Sequence, residues 1–229
     1  MNLLALETAT DQGSVALWRD GILLARDCPP GEQSSLTLLP LVRTLMDDAG
    51  LPLAALDGIA FGAGPGAFTG LRVACGVAQG LAVALDLPLV PVGTLEALAY
   101  AEGRPQVAVY LDARMGEVYS AAYRRQGESL VLDGAMTVAP PQDAPLPEGE
   151  GWTACGNGSL AYPVLAQRLA ARGIALGQER VPGASAVAAL AAPRLARGEG
   201  LDPALAAPVY VRDKVAFTVA ERLAQGGKA

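Results

Sequence analysis

The most informative stretch of this chain is Gly62-Ala-Gly-Pro-Gly-Ala-Phe-Thr-Gly-Leu-Arg72. The glycines allow positive φ angles and a close approach of the backbone to a neighbour, and Pro65 stiffens the turn. An apolar strand, Gly58-Ile-Ala-Phe61, precedes the loop, and Thr69 is expected to cap a helix that follows it. This geometry suits a bound phosphate, and it equally suits a tight turn against a neighbouring backbone. The loop alone leaves both alternatives open.

The loop sits inside a predicted β-α-β unit. Strand 58–61, helix 69–85 and strand 89–92 follow one another, and such crossovers make parallel strand pairs. Upstream, Asp20-Gly21 joins two apolar runs and predicts a hairpin. A helix capped by Ser34 or Ser35 is expected to run to about Ala49. The first part of the chain therefore predicts a mixed sheet with helices.

A second set of elements follows, and it looks like an eroded copy of the first. Strands are predicted at 106–112, 118–124, 129–133 and 152–155, an exposed proline-rich loop at 137–151, and helices at 159–172, 184–197 and 216–225. This plan resembles the actin, sugar-kinase and Hsp70 architecture. We therefore predict an α/β, actin-like two-lobe fold in which each lobe is a mixed sheet flanked by helices and the second lobe is reduced. The predicted lobes are residues 1–100 and 101–229, with the last helix able to pack back on the first lobe.

The amino-acid composition indicates which kinds of partner and which cellular compartment to expect. The net charge is −6, and no basic cluster stands out beyond Arg124-Arg125, so binding to naked RNA is disfavoured. The chain has 3 cysteines, and their scattered positions fit a reducing cytoplasm. The apolar stretch 73–85 is shorter than the roughly 20 residues that a membrane span needs. We expect a cytoplasmic protein that does not contact a membrane.

The chain contains no histidine. Histidine is the usual general base near neutral pH and the commonest transition-metal ligand, so catalytic and metal sites that depend on it are excluded. A carboxylate-only Mg²⁺ site at Glu7, Asp11 and Asp112 remains open. The favoured interpretation of Glu7 and Asp112 is that they cap backbone groups at strand ends. We therefore predict no catalytic residue and no metal ligand.

Two helices carry patterns that suggest a contact surface. In the helix before Gly50, apolar residues fill an arc of about 160°, which is wider than one sheet contact needs. In the next helix, Gly76 and Gly80 share a side with Thr69 and Val73, and each glycine costs the helix about 1 kcal/mol relative to alanine. The glycines fit packing on the same lobe and contact with a partner helix equally well.

Two turns in the second half carry weaker signals. The segment Asp112-Ala-Arg-Met-Gly-Glu117 lies between two predicted strands. A charged hairpin is its favoured interpretation, and the alternative makes Arg114 and Glu117 rim residues of a cleft. Gly156-Asn-Gly158 precedes a helix and could bind an anion, but Asn-Gly is also common in ordinary turns.

A series of motifs, in order along the chain, resembles one family. They are Leu3-Leu-Ala-Leu-Glu-Thr-Ala-Thr10, Ser14-Val-Ala-Leu17, Leu38-Leu-Pro40, Gly64-Pro-Gly-Ala-Phe-Thr-Gly-Leu-Arg72, Asp112-Ala-Arg114, Glu117-Val-Tyr119, Gly156-Asn-Gly158 and Pro208-Val-Tyr-Val-Arg212. The chain resembles the TsaB (YeaZ) family, the bacterial partner subunits in making threonylcarbamoyladenosine on tRNA. The resemblance covers nearly the whole chain.

The resemblance implies a subunit without its own catalysis that binds and activates TsaD, the related subunit that carries the metal and performs the carbamoyl transfer. A TsaE-like ATPase joins the two, tRNA is met only through the complex, and the chain alone forms a homodimer through the same surface. No cofactor is bound tightly, although ATP or ADP could lie at the interface of the complex. By matched motif, the partner interface comprises Leu38, Leu39, Val42, Leu45, Thr69, Val73, Gly76 and Gly80.

A vestigial nucleotide loop is a further expectation. It comprises Glu7, Thr8, Gly64, Gly66, Gly156 and Asn157. The family usually has Asp where Glu7 stands, which weakens the case for an intact nucleotide site. The alternative function is an ATP-dependent small-molecule kinase of the same fold.

Overall fold

The computed structural model describes residues 1–212 apart from Glu128 and Glu179. The helix predicted at residues 216–225 lies outside the described residues, so its packing on the first lobe stays a prediction.

The first sheet has five strands in the order β3-β2-β1-β4-β5. The strands are β1 (Asn2–Glu7), β2 (Ser14–Arg19), β3 (Ile22–Asp27), β4 (Gly58–Gly64) and β5 (Leu89–Gly93). The β1–β2 and β2–β3 pairs are antiparallel, while β1–β4 and β4–β5 are parallel. The predicted hairpin and β-α-β unit are therefore both present in one mixed sheet. The helices of this part are α1 (Ser34–Asp48), α2 (Phe68–Leu85) and α3 (Thr94–Glu102).

The second sheet has six strands and follows the order β11-β10-β6-β7-β8, with β9 paired to β7. Its strands are β6 (Gln106–Arg114), β7 (Glu117–Gln126), β8 (Ser129–Leu132), β9 (Thr137–Ala139), β10 (Thr153–Cys155) and β11 (Ala175–Leu176). Three helices follow β10 along the chain: α4 (Gly158–Ala161), α5 (Pro163–Ala171) and α6 (Ala184–Ala196). Two mixed sheets flanked by helices make the predicted α/β two-lobe plan.

Strand β1 shows why the first sheet is covered on both faces. Leu4 and Leu6 point to a core shared with α1 and α2, whereas Leu3 and Ala5 point to a core shared with α6. All four side chains are fully buried, as expected for a strand whose two faces are both packed. The sheet is thus the middle layer between two helical layers.

Helix α6 lies within the predicted second range, residues 101–229, but packs on the first sheet. Five of its alanines are buried against that sheet together with Val187. Small side chains allow a close approach, since a Cβ added at Gly58 would lie 2.6 Å from Leu195. Helix α3 connects the two lobes, because Ala97 joins the α6 side of the first core while Leu95 and Leu98 pack with β6 and β7.

Several predicted boundaries need correction. Helix α2 begins at Phe68 after Ala67, so Thr69 is inside the helix and does not cap it. Helix α1 begins at Ser34 after Gln33, with no side-chain cap. The helix predicted at 159–172 is divided at Tyr162, because the residue before a proline disfavours helical backbone.

The segment predicted as an exposed loop at 137–151 also differs from the prediction. It contributes β9 to the second sheet, and it buries Ala144 in the core beneath that sheet. Neither contact was predicted, because the abundance of proline and acidic residues indicated an exposed loop.

Helix α2 is long and apolar enough to cross a membrane by length and composition. With 18 residues it is longer than the stretch that the sequence predicted. Its Leu71, Ala74 and Ala78 are buried, although only 28% of its residues are buried in all.

Candidate partner interface and interlobe cleft

Helix α2 has one buried and one open face. Thr69, Gly76 and Gly80 are exposed on the side opposite the sheet. Among the residues that the structure describes, a Cβ added at Gly76 or Gly80 would meet no heavy atom within 4 Å. Packing against the described part of the chain therefore does not explain the two glycines, and the alternative of a partner contact remains.

Part of the predicted interface on helix α1 is buried inside the first lobe. Leu38, Val42 and Leu45 are almost fully buried in the first core, so they cannot contact a partner. The wide apolar arc is used within the lobe, because α1 packs on the sheet and also against α2. Its exposed apolar side chains are Leu39, which was predicted, and Leu36, which was not; they are 52% and 73% exposed.

Together these residues form an exposed surface on two adjacent helices, which we name the helical face. It comprises Leu36, Leu39 and Pro40 of α1 with Thr69, Val73, Gly76, Gly80 and Val83 of α2. Val73 is half-buried, and the other members are exposed. Glycines between exposed leucine and valine side chains make a notched apolar surface, which is typical of a contact site.

The glycine loop, in contrast, is used within the chain. The Ala67 N–H donates to the Ala9 carbonyl at 2.7 Å, and the Thr8 hydroxyl donates to the Gly70 carbonyl at 2.7 Å. A Cβ at Gly66 would lie 2.6 Å from the Ala9 carbonyl oxygen, and one at Gly70 would lie 1.8 Å from that of Thr8. Of the two alternatives that the sequence left open, the structure realises the tight turn against a neighbouring backbone.

Glu7 lies at the end of β1 and is fully buried. Its Oε1 accepts a hydrogen bond from the Ala9 N–H at 2.6 Å, whereas Oε2 has no partner among the described residues. A Cβ at Gly62 would lie 2.0 Å from Oε2, so this glycine provides the space for the carboxyl group. Burial away from water raises the pKa of Glu7 to about 7. Glu7 therefore faces the interior, not the cleft.

The second predicted anion turn also packs against its own lobe. Gly156 has a φ of +94°, and a Cβ there would lie 2.3 Å from the Tyr110 carbonyl oxygen. The Asn157 side-chain oxygen accepts a hydrogen bond from the Asp112 N–H at 2.9 Å. The turn therefore fixes the start of α4 against β6.

A cleft of about 500 Å³ lies between the lobes. Its lining includes Asp11, Gly66, Phe68, Asp112, Arg114, Met115, Asn157, Val209 and Tyr210. Gly66 and Asn157 are the members of the predicted nucleotide loop that line it, whereas Glu7, Thr8, Gly64 and Gly156 lie outside the lining. The structure thus separates a set of residues that the sequence grouped together.

An ion pair joins the two walls of the cleft. Arg114 forms an ion pair with Asp11 of the other lobe, and it lies 3.5 Å from Asp112. Arg114 therefore matches the less favoured interpretation, a residue of the cleft wall, while Glu117 pairs with Arg212. In the described part of the chain no group of three metal-ligating side chains occurs, so the Mg²⁺ site that the sequence left open at Glu7, Asp11 and Asp112 is not assembled there.

Residues 208–212 form one of the family motifs, but no role was predicted for them from the sequence. The Val209 N–H donates to the Ala63 carbonyl at 2.7 Å in the first lobe. Arg212 donates to the Ala113 carbonyl at 3.1 Å in the second lobe. Between them, Tyr210 contacts Phe68 and Arg72 of α2. This segment crosses the cleft and ties both lobes together.

Comparison with known proteins gives a consistent family. The family model of TsaD, the tRNA N6-adenosine threonylcarbamoyltransferase, matches residues 31–216. The tRNA threonylcarbamoyladenosine biosynthesis protein TsaB of Escherichia coli is 36% identical over 95% of this chain and 97% of its own length. Two solved structures from Pseudomonas aeruginosa are each 41% identical.

The first of these structures is an uncharacterized protein with similarity to peptidase YeaZ. It covers 92% of this chain and 99% of its own, with a TM-score of 0.84. The second, YeaZ, covers 91% and 99%, with a TM-score of 0.82. These matches confirm the actin-like two-lobe fold over nearly the whole chain.

Proposed function

The chain belongs to the TsaB (YeaZ) family of tRNA threonylcarbamoyladenosine biosynthesis proteins, and we propose that it is the non-catalytic partner that binds and activates a TsaD-like subunit. The observation that carries this proposal is the helical face. No described residue covers its glycines, so a helix of another protein can approach the α2 backbone closely. A standard interface buries about 1,600 Å² in total, and two helices offer enough surface for one.

The destabilisation of α2 by its two glycines supports a contact with a partner protein. Two helix-interior glycines destabilise α2 by about 1 kcal/mol each relative to alanine, and no contact among the described residues compensates for that loss. A contact in a complex would compensate for it. The same surface would serve the homodimer of the isolated chain.

A role without catalysis is supported by the chemistry of the chain. The sequence has no histidine, and the glycine loop is occupied by the backbone of Thr8 and Ala9. The alternative, an ATP-dependent kinase, needs an open phosphate loop, so it has less support. In our proposal any ATP or ADP binds at the interface of the complex or to a TsaE-like ATPase, and tRNA is met through the complex.

A binding experiment tests the proposal. The chain is mixed with its cognate TsaD-like subunit, and complex formation is measured by size-exclusion chromatography and calorimetry. Replacing Gly76→Leu and Gly80→Leu should abolish the complex, because leucine fills the notch. The matched control is Ala170→Leu, an exposed position of α5 in the second lobe. Since leucine favours helix over glycine, loss of binding cannot be attributed to unfolding of α2. Unchanged binding by both glycine variants would contradict the proposed surface.

Activity tests the second half of the proposal. Threonylcarbamoyladenosine is measured in tRNA after incubation with TsaD-like and TsaE-like subunits, ATP and the substrates, with and without this chain. Product formation should require the chain and should fail with the double glycine variant. Equal product without the chain, or product from the chain alone, would show that the proposed role is wrong.

A further inference from the structure

Arg72 occupies an unusual position at one end of the helical face. It lies on α2 four residues before Gly76 and eight before Gly80, so the three share one stripe of the helix. Its guanidinium carbon lies 3.7 Å from the centroid of the Phe68 ring. Its Nε donates to the Tyr210 hydroxyl at 3.1 Å. The Phe68 and Tyr210 rings are themselves in contact, with centroids 5.5 Å apart.

These contacts hold the guanidinium but leave its outer edge open. Nε is bonded to Tyr210, and none of the ion pairs within 4 Å among the described residues involves Arg72. An arginine fixed by an aromatic face and one hydrogen bond has already lost part of its side-chain entropy. Its remaining donors form a planar fork that matches a carboxylate or phosphate group.

We propose that Arg72 anchors the partner interface by binding a carboxylate side chain of the partner subunit. This inference rests on the proposed function, since it places the carboxylate on the protein that covers the helical face. A partner helix lying along Gly76 and Gly80 would also bury Arg72 at the end of the same stripe. A buried charge without a counter-charge is strongly unfavourable, so the partner must supply an acidic group there.

The surroundings favour a carboxylate of a protein over a phosphate of RNA. The chain carries a net charge of −6, and Asp11 lines the neighbouring cleft, so a polyanion would meet repulsion on approach. The residues next to Arg72 on the stripe are small or apolar, as in protein interfaces. Arginine and tyrosine are the residue types that dominate binding energy in such interfaces.

The test measures the affinity of variants for the TsaD-like subunit by calorimetry at two salt concentrations. Arg72→Ala should weaken binding by about 10- to 100-fold, as truncation of an arginine that dominates the binding energy of an interface does. Arg72→Lys keeps the charge but loses the fork, so it should recover only part of this loss. Tyr210→Phe removes the hydrogen bond to Nε and should weaken binding by about 3- to 10-fold.

Arg172→Ala, an exposed arginine at the end of α5, is the matched control and should bind like the parent chain. Thermal unfolding of each variant shows whether the fold is kept. The salt dependence of binding should be smaller for Arg72→Ala than for the parent chain, because one ion pair is lost.

The outcomes separate this inference from the proposed function. If the parent chain does not bind the TsaD-like subunit, the proposed function fails. If the parent binds and the Gly76→Leu variant does not, but Arg72→Ala binds within twofold of the parent, the inference alone is overturned. Normal binding of the TsaD-like subunit by Arg72→Ala, with weakened binding of tRNA to the complex, would assign Arg72 to a phosphate and would also overturn it.

Discussion

For Glu7, the sequence predicted the position at a strand end but not the environment of the carboxyl group. Its position after an apolar strand correctly predicted a strand end, and the nearby glycines suggested a nucleotide site. The structure places the carboxyl group under Gly62, where it is closed off from the cleft. Sequence spacing could not show this, because the space for the side chain comes from a glycine that is distant along the chain.

The buried carboxyl group makes stability depend on pH. The pKa of Glu7 is about 7 in the folded chain against an ordinary 4.5, so the folded state holds the proton more tightly. Its contribution to stability is complete below pH 4.5 and is lost as the pH rises through 7, by about 3 kcal/mol in total. Urea unfolding between pH 4.5 and 8 should show this fall.

In the Glu7→Gln variant the fall should be much smaller, because the amide does not ionise. Glu32→Gln, at an exposed loop position, is the control and should retain the full pH dependence. An identical pH profile for Glu7→Gln and the parent chain would contradict the assignment.

Gly70 gives a second prediction for a single residue. A Cβ at this position would lie 1.8 Å from the Thr8 carbonyl oxygen, which is backbone and cannot move aside easily. We expect Gly70→Ala to reduce the free energy of unfolding by about 3 kcal/mol. Urea unfolding measures the change, and a loss below 1 kcal/mol would mean that the approach of α2 to the β1–β2 loop is less close than described.

At the scale of elements, periodicity predicted the helices well and their contacts less well. The arc of α1 and the glycine stripe of α2 were both visible in the sequence. Leu38, Val42 and Leu45 were nevertheless assigned to a partner, although they pack in their own core. An apolar arc identifies a buried side but does not say which neighbour buries it. The glycines were more informative, because nothing in the described part of the chain packs on them.

The open glycine stripe predicts that α2 can be stabilised. Gly76→Ala and Gly80→Ala should each raise the free energy of unfolding by about 1 kcal/mol, since alanine favours helix and its Cβ meets no neighbour. Each substitution should raise Tm by about 2–4 °C, measured by calorimetry on the isolated chain at a concentration low enough to keep it monomeric, because the proposed homodimer would cover the stripe. A lower Tm of both variants under these conditions would contradict the prediction.

At the scale of the whole molecule, the two-lobe plan followed from the order of strands and helices. The sequence did not show that α6 returns to the first sheet or that residues 208–212 cross the cleft. Both features depend on contacts between distant parts of the chain, and the visible motif at residues 208–212 does not by itself show which lobe it contacts. They also join the two lobes, since each uses residues from the second half to complete the first.

The two lobes should therefore unfold together. The chain has 2 tryptophans, Trp18 in β2 of the first sheet and Trp152 in the core of the second. Trp18→Phe and Trp152→Phe leave one reporter in each lobe. We expect the urea transitions of the two variants, followed by fluorescence, to have the same slope and, after correction for each substitution, the same midpoint. Two separated transitions in the parent chain would show that the lobes are independent.

The return of α6 also determines when the protein can fold during its synthesis. All strands of the first sheet have been synthesised once β5 ends at Gly93. Helix α6, which covers one face of that sheet, is complete only at Ala196. At about 5–20 residues per second, the ribosome needs roughly 5–20 s to supply the missing stretch. During that interval a nascent chain exposes Leu3, Ala5 and Val90 to the cytosol. Chaperones that shield apolar strands would have their opportunity then, before the polypeptide is released.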